Sequence, residues 1–143
     1  MAITQAMATS FKVQLLNGTQ NFSANTFKLA LYTSSATINE NTTAYSASNE
    51  VPSTGNYSAG GNTLAVSVTP TNTGNVAFIS FTNTSWANAT ITAAGALIYN
   101  SSNANAAVAV LSFGGDKTST NGTFAVNFPT ADSTSAIIRL TAS

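Results

Sequence analysis

Apolar and polar positions alternate along this chain in short runs, with turn-forming residues between them. Phe27–Tyr32 (FKLALY) puts Phe27, Leu29 and Leu31 on one face, the two-residue period of a strand. Residues 64–68 repeat that period with Leu64, Val66 and Val68, and residues 70–75 read as a turn. Val76–Phe81 is apolar on both faces, which predicts a central strand covered on both sides. Residues 89–92 predict a short strand ending in a turn at 93–95. Four more β-rich runs close the chain, at residues 95–100 (GALIYN), 107–113 (AVAVLSF), 124–128 (FAVNF) and 135–141 (SAIIRLT). Their connections, residues 101–106, 114–123 and 129–134, are rich in turn formers. The chain is organised around this C-terminal meander, residues 95–141. Strands at such short spacing, with no helical pattern between them, predict an all-β fold, mainly an antiparallel sandwich or barrel.

One stretch carries a helical period. Met7, Phe11 and Leu15 recur at a spacing of four, so residues 4–18 predict a short N-terminal helix with Thr4 as its N-cap and Gly18 as its stop. Such a helix either plugs one end of the β core or forms an arm that docks on a partner. Residues 33–63 show no sustained period and read as one long loop, with a short strand around residues 45–50. Tyr45 and Tyr57 supply aromatic anchors for it. The loop reads either as a flap on its own domain or as a surface that meets a neighbouring subunit. Met7, Phe11, Leu15, Tyr45 and Tyr57 are therefore the candidate interface residues. The N-terminal segment and the loop are expected to be the parts least committed to the meander, so that removing residues 1–10 leaves a folded β domain. Trp86, the lone tryptophan, is expected to anchor the core, with an interface contact as the alternative.

Composition sharpens this picture. A chain of 143 residues predicts one domain, residues 1–143. Only 6% of its residues are charged, against about 25% in typical globular chains. In their place stand 58 asparagines, serines and threonines. One tryptophan, four tyrosines and eight phenylalanines argue for a folded core rather than disorder. The net charge is zero, and Lys12, Lys28, Lys117 and Arg139 are scattered. Nucleic-acid binding and polybasic membrane attachment both need clustered cations, so neither is expected. No apolar run approaches ~18 residues, so no membrane span is expected. The opening MAITQAMATSFK lacks the basic-then-apolar order of a secretion signal.

Little catalytic chemistry is on offer. The chain has no histidine and no cysteine, which removes imidazole-dependent catalysis, thiol chemistry and the usual transition-metal ligands. The carboxylates are Glu40, Glu50, Asp116 and Asp132. Glu40 and Glu50 share a loop, but nothing marks them as the facing pair a glycosidase needs. Gly114-Gly115-Asp116 reads as a turn, with one carboxylate only and no phosphate-loop order. Arg139 is expected to be solvated. No catalytic residue, metal ligand or cofactor site is expected, and the chain is not read as an enzyme.

Five segments carry a resemblance. They are residues 3–18 (ITQAMATSFKVQLLNG), 27–37 (FKLALYTSSAT), 49–61 (NEVPSTGNYSAGG), 85–100 (SWANATITAAGALIYN) and 107–140 (AVAVLSFGGDKTSTNGTFAVNFPTADSTSAIIRL). In order and spacing these segments resemble a family of small structural proteins of tailed bacteriophages, of the capsid decoration or cement type. The resemblance implies a small β-rich virion component on the outer capsid surface, made in the cytoplasm of the host bacterium. It implies the major capsid protein as partner and a homotrimer as the assembly, and it offers no catalytic residues. The competing assignment is a tail-fibre or tail-tip module that binds a host-surface glycan, for which Tyr45, Tyr57 and Trp86 would be the aromatic contacts. A fibre usually needs a shaft, and no fibrous repeat is present.

Overall fold

The computed structural model describes residues 2–141. Residue 1 and residues 142–143, the outermost positions of the expected 1–143 domain, lie outside them. In chain order the elements are β1 (Ala6–Met7), α1 (Thr9–Leu16), β2 (Phe27–Tyr32), β3 (Asn62–Leu64), β4 (Val66–Thr73), β5 (Val76–Phe81), β6 (Thr84–Asn100), β7 (Ala106–Val126) and β8 (Ile138–Leu140). They form two antiparallel sheets, one ordered β1-β7-β6-β2-β3 and the other β4-β5-β8. Among the described residues the protein is therefore mostly β with a single short helix. Both sheets have free edges, which fits the sandwich expectation rather than a closed barrel.

The two strongest apolar runs become strands with the expected ends. β2 pairs with β3 on one side and β6 on the other, and all its residues but Lys28 are buried. β5 is the central strand of the small sheet, between β4 and β8. The expected strand at 64–68 is instead a crossing point. The chain leaves the large sheet after Leu64 and enters the small one at Val66, with the Ala65 carbonyl accepting the Thr82 amide at 2.8 Å. The expected turn at 70–75 is shorter, because β4 continues to Thr73. Pro70 is tolerated there because β4 is an edge strand and its register shifts between Val68 and Thr71.

The C-terminal meander differs from expectation. Residues 84–126 make one long hairpin, β6 against β7, folded at 101–105. The predicted turns at 93–95 and 114–123 are irregularities inside this hairpin. Ala93 pairs with Lys117 and Gly95 with Ser112, so residues 113–116 bulge out opposite Ala94 alone. Gly114 and Gly115 make the bulge possible, with φ of 77° and 141°. Strand pairing ends at Val126, and Phe128 instead packs on Phe81 at 5.7 Å between ring centroids.

The helix is shorter than expected and starts later. Ala8, not Thr4, is its N-cap residue. Residues before it are extended: Ile3 bridges Ile38, and Ala6 and Met7 pair with Val110 and Ala109 of β7. The open edge of β7 offers this backbone a ladder, which outweighs a weak local helix preference. The C-terminus behaves as expected. Gly18 adopts φ 80°, the Thr19 amide reaches the Gln14 carbonyl at 2.9 Å, and the Gly18 amide reaches Leu15 at 3.4 Å.

One hydrophobic cluster joins the helix and both sheets. At its centre Phe22 stacks on Phe27 at 4.6 Å, meets Phe11 edge-on at 5.8 Å, and reaches Phe81 of the small sheet at 6.1 Å. Beside it lies a polar knot. Asn100 is wholly buried and donates to Gln20 at 2.8 Å and Asn25 at 2.9 Å, while its oxygen accepts the Ser102 amide at 2.9 Å. These bonds fasten the segment after α1 to the tip of the long hairpin.

Candidate interaction surface

The long segment between β2 and β3 folds around one carboxylate. Glu50 is buried, and its Oε2 accepts the Tyr45 hydroxyl at 2.6 Å. Its Oε1 accepts the Tyr57 hydroxyl at 2.7 Å and the Gly60 amide at 2.6 Å. The Tyr57 hydroxyl in turn accepts the Leu31 amide of β2 at 2.9 Å. Tyr99 stacks on Tyr45 at 4.7 Å and donates to the Gly60 carbonyl at 2.7 Å. Tyr32 donates to the Ser46 carbonyl at 2.6 Å. All four tyrosines of the chain thus gather around Glu50 and pin the segment to the large sheet.

The electrostatics make this cluster structural. Burial pushes the Tyr99 hydroxyl up to about 12, and the Glu50 charge adds in the same direction. Burial, then the Glu50 hydrogen bond and charge, push Tyr45 well above the usual tyrosine value. Tyr32 and Tyr57 are raised as well, chiefly by burial, with a backbone hydrogen bond opposing the shift in each. Neutral phenols of this kind donate hydrogen bonds and are poor nucleophiles. Glu50 has both oxygens engaged, while Glu40 is exposed at the surface. Among the described residues, no three His, Cys, Asp or Glu side chains gather where they could hold a metal ion.

The five candidate interface residues fall into two groups. Phe11 and Tyr57 are buried in the core, so neither presents a surface. Phe11 turns inward because it faces β7 and Phe22. Tyr57 does so because its hydroxyl bridges Glu50 and Leu31. Met7, Leu15 and Tyr45 are half-buried and pack against the core. The N-terminal segment and the long loop are also committed to the sheet, against expectation. The Ala8 amide bonds the Val108 carbonyl, Thr9 bonds Glu40, and Tyr45 bonds Asn105. Removing residues 1–10 would strip an edge strand, not a free arm.

The open apolar surface lies elsewhere. Among the described residues, the exposed large hydrophobic side chains are Val13 (57%), Leu16 (91%) and Leu140 (50%). Val13 and Leu16 sit three apart on the outer side of α1, opposite Phe11. Leu140 lies on β8, at a free edge of the small sheet. α1 and β8 flank a groove of about 330 Å³ whose apolar lining includes Leu15, Phe22, Phe78, Ile138 and Leu140. The outward Val13–Leu16 pair was readable in the sequence once the helix is restricted to residues 9–16. Leu140 was not, because it shares a face with buried Ile138 and its exposure depends on how far the facing layer extends over that face. Trp86 is buried, and its ring lies 5.4 Å from Tyr57 and 6.4 Å from Phe124. The chain matches no protein-family model, and no curated protein or solved structure is similar enough to it to count as a match.

Proposed function

We propose that this protein is a structural component of a tailed-phage virion that coats the outer capsid surface and stabilises the head without catalysing a reaction. The observation that carries the reading is the apolar groove between α1 and β8, lined by Leu15, Phe22, Phe78, Ile138 and the exposed Leu140, with Val13 and Leu16 exposed on the outer side of the same helix. An apolar patch on a polar surface marks an interaction site. Lys12 and Arg139, next to Val13 and Leu140, are both exposed, so they can stay at a polar rim while the apolar side chains are buried. The resemblance of the segments at 27–37, 49–61, 85–100 and 107–140 to phage decoration proteins supplies the partner, the major capsid protein, and the homotrimer. Linkage supplies the stabilisation: a protein that binds the assembled lattice but not free subunits shifts the equilibrium towards the intact shell. A glycan-binding tail module gains no support from the aromatic residues, since Tyr57 and Trp86 are buried and Tyr45 lies stacked on Tyr99.

The test compares phage heads stripped of this protein with heads to which it is added back, under heat or low salt. Added protein should protect the heads, and a Leu16→Ser, Leu140→Ser double variant should bind and protect less. Bare heads that withstand stress as well as coated ones, or labelled protein found only at the tail, would sink the proposal.

A further inference from the structure

We infer that residues 33–61 form a strap that opens and closes as one unit against the large sheet, with the Glu50 carboxylate as its latch. Both ends of the strap are held by the same strand pair, because β2 and β3 are hydrogen-bonded neighbours. Lifting the segment would break its bonds to the N-terminal residues at Ile38 and Glu40 and to the hairpin tip at Thr43 and Tyr45, while both ends stay in place. Its hold on the rest of the molecule is mainly hydrogen bonds, with few buried side chains. Ala36, Ile38, Val51 and Tyr57 are its buried apolar side chains, and most residues between 39 and 49 and between 52 and 56 are exposed or half-exposed. A segment with few buried contacts and an exposed backbone is the kind that opens below the free energy of global unfolding.

Glu50 makes the closure cooperative. It is the charged member of the buried set, and the three hydrogen bonds to it come from neutral donors at Tyr45, Tyr57 and Gly60. The Tyr57 hydroxyl continues the chain of bonds into the Leu31 amide of β2. Next to it the Val51 amide bonds the Leu31 carbonyl at 2.9 Å. Losing the carboxylate leaves three donors unpaired at once, the Tyr57 hydroxyl and Gly60 amide in buried positions and the Tyr45 hydroxyl at the half-buried rim. Opening returns the charge to water, so each of the three donors adds to the stability of the closed state.

Hydrogen exchange on the intact protein tests the latch, using the parent, Glu50→Ala and Tyr45→Phe. In Glu50→Ala the Leu31, Val51 and Gly60 amides should exchange at least tenfold faster, while the Leu97, Val110 and Ile79 amides change less than twofold. Tyr45→Phe, which removes one donor at the half-buried rim, should accelerate the same three amides by a smaller factor and leave the circular dichroism unchanged. Acceleration of strap and sheet amides together would overturn the inference, because the strap would then not be a separate unit. Unchanged strap exchange in Tyr45→Phe would overturn it too, even where Glu50→Ala fails to fold.

Discussion

Ile3 lies so close to Gly95 that a methyl group added to the glycine would sit 2.7 Å from the Ile3 Cγ2. On its other side the same methyl would meet the Leu111 carbonyl oxygen at 2.5 Å. Gly95 is thus the slot through which the N-terminal segment reaches the long hairpin. Gly95→Ala should cost about 1–3 kcal/mol, the usual range for overpacking a filled site. Urea denaturation monitored by circular dichroism would measure it. A loss below about 0.5 kcal/mol would show that the segment can step aside freely.

Asn100 offers a second sharp test. It bonds Gln20, Asn25 and the Ser102 amide from a fully buried position. Asn100→Leu keeps the volume but removes these bonds, at about 1–3 kcal/mol for each buried group left unpaired. The same denaturation experiment should show a lower midpoint. An unchanged midpoint would mean that water replaces the amide.

Alkaline stability follows from the tyrosines. All four have hydroxyls raised above the ordinary value of 10.0, so folding favours their neutral form. That contribution is complete below pH 10 and is lost as pH rises from there towards about 12, where Tyr99 ionises in the fold. Melting temperature should therefore fall above pH 10. Tyrosinate absorbance should rise late and together with unfolding. Four tyrosines titrating near 10 with the fold intact would contradict the buried cluster.

Two changes should matter little to stability. Leu16→Ser removes a side chain that is 91% exposed, so its effect should stay within about 0.5 kcal/mol. Chelator treatment should leave the melting temperature unchanged, since no acidic cluster among the described residues could hold a structural cation. A drop of several degrees in either experiment would reveal a contact that the isolated chain does not display.

How far such features were legible depends on how local they are. β2 and β5 could be read directly, because their apolar positions are dense, broken only by Lys28 and Ser80, and end at polar residues. The long hairpin could not. Gly114, Gly115 and the serines and threonines after them carry turn chemistry, and only the partner strand turns that stretch into a bulge. The start of α1 was misplaced for a related reason: Ala6 and Met7 take their structure from Val110 and Ala109, over a hundred residues away. The tyrosine cluster was half visible. Tyr45 and Tyr57 stood out as anchors, but their convergence on Glu50 depends on the path of the strap.

Trp86 and Tyr57 lie with ring centroids 5.4 Å apart, inside the range where a photon absorbed by tyrosine is passed to tryptophan. Tyr57 is also the residue that joins the Glu50 latch to β2. Lifting the strap, as proposed, would separate donor from acceptor and let tyrosine emission reappear. The purified protein thus carries an internal optical gauge, and its unlabelled fluorescence spectrum tests the proposed opening of the strap.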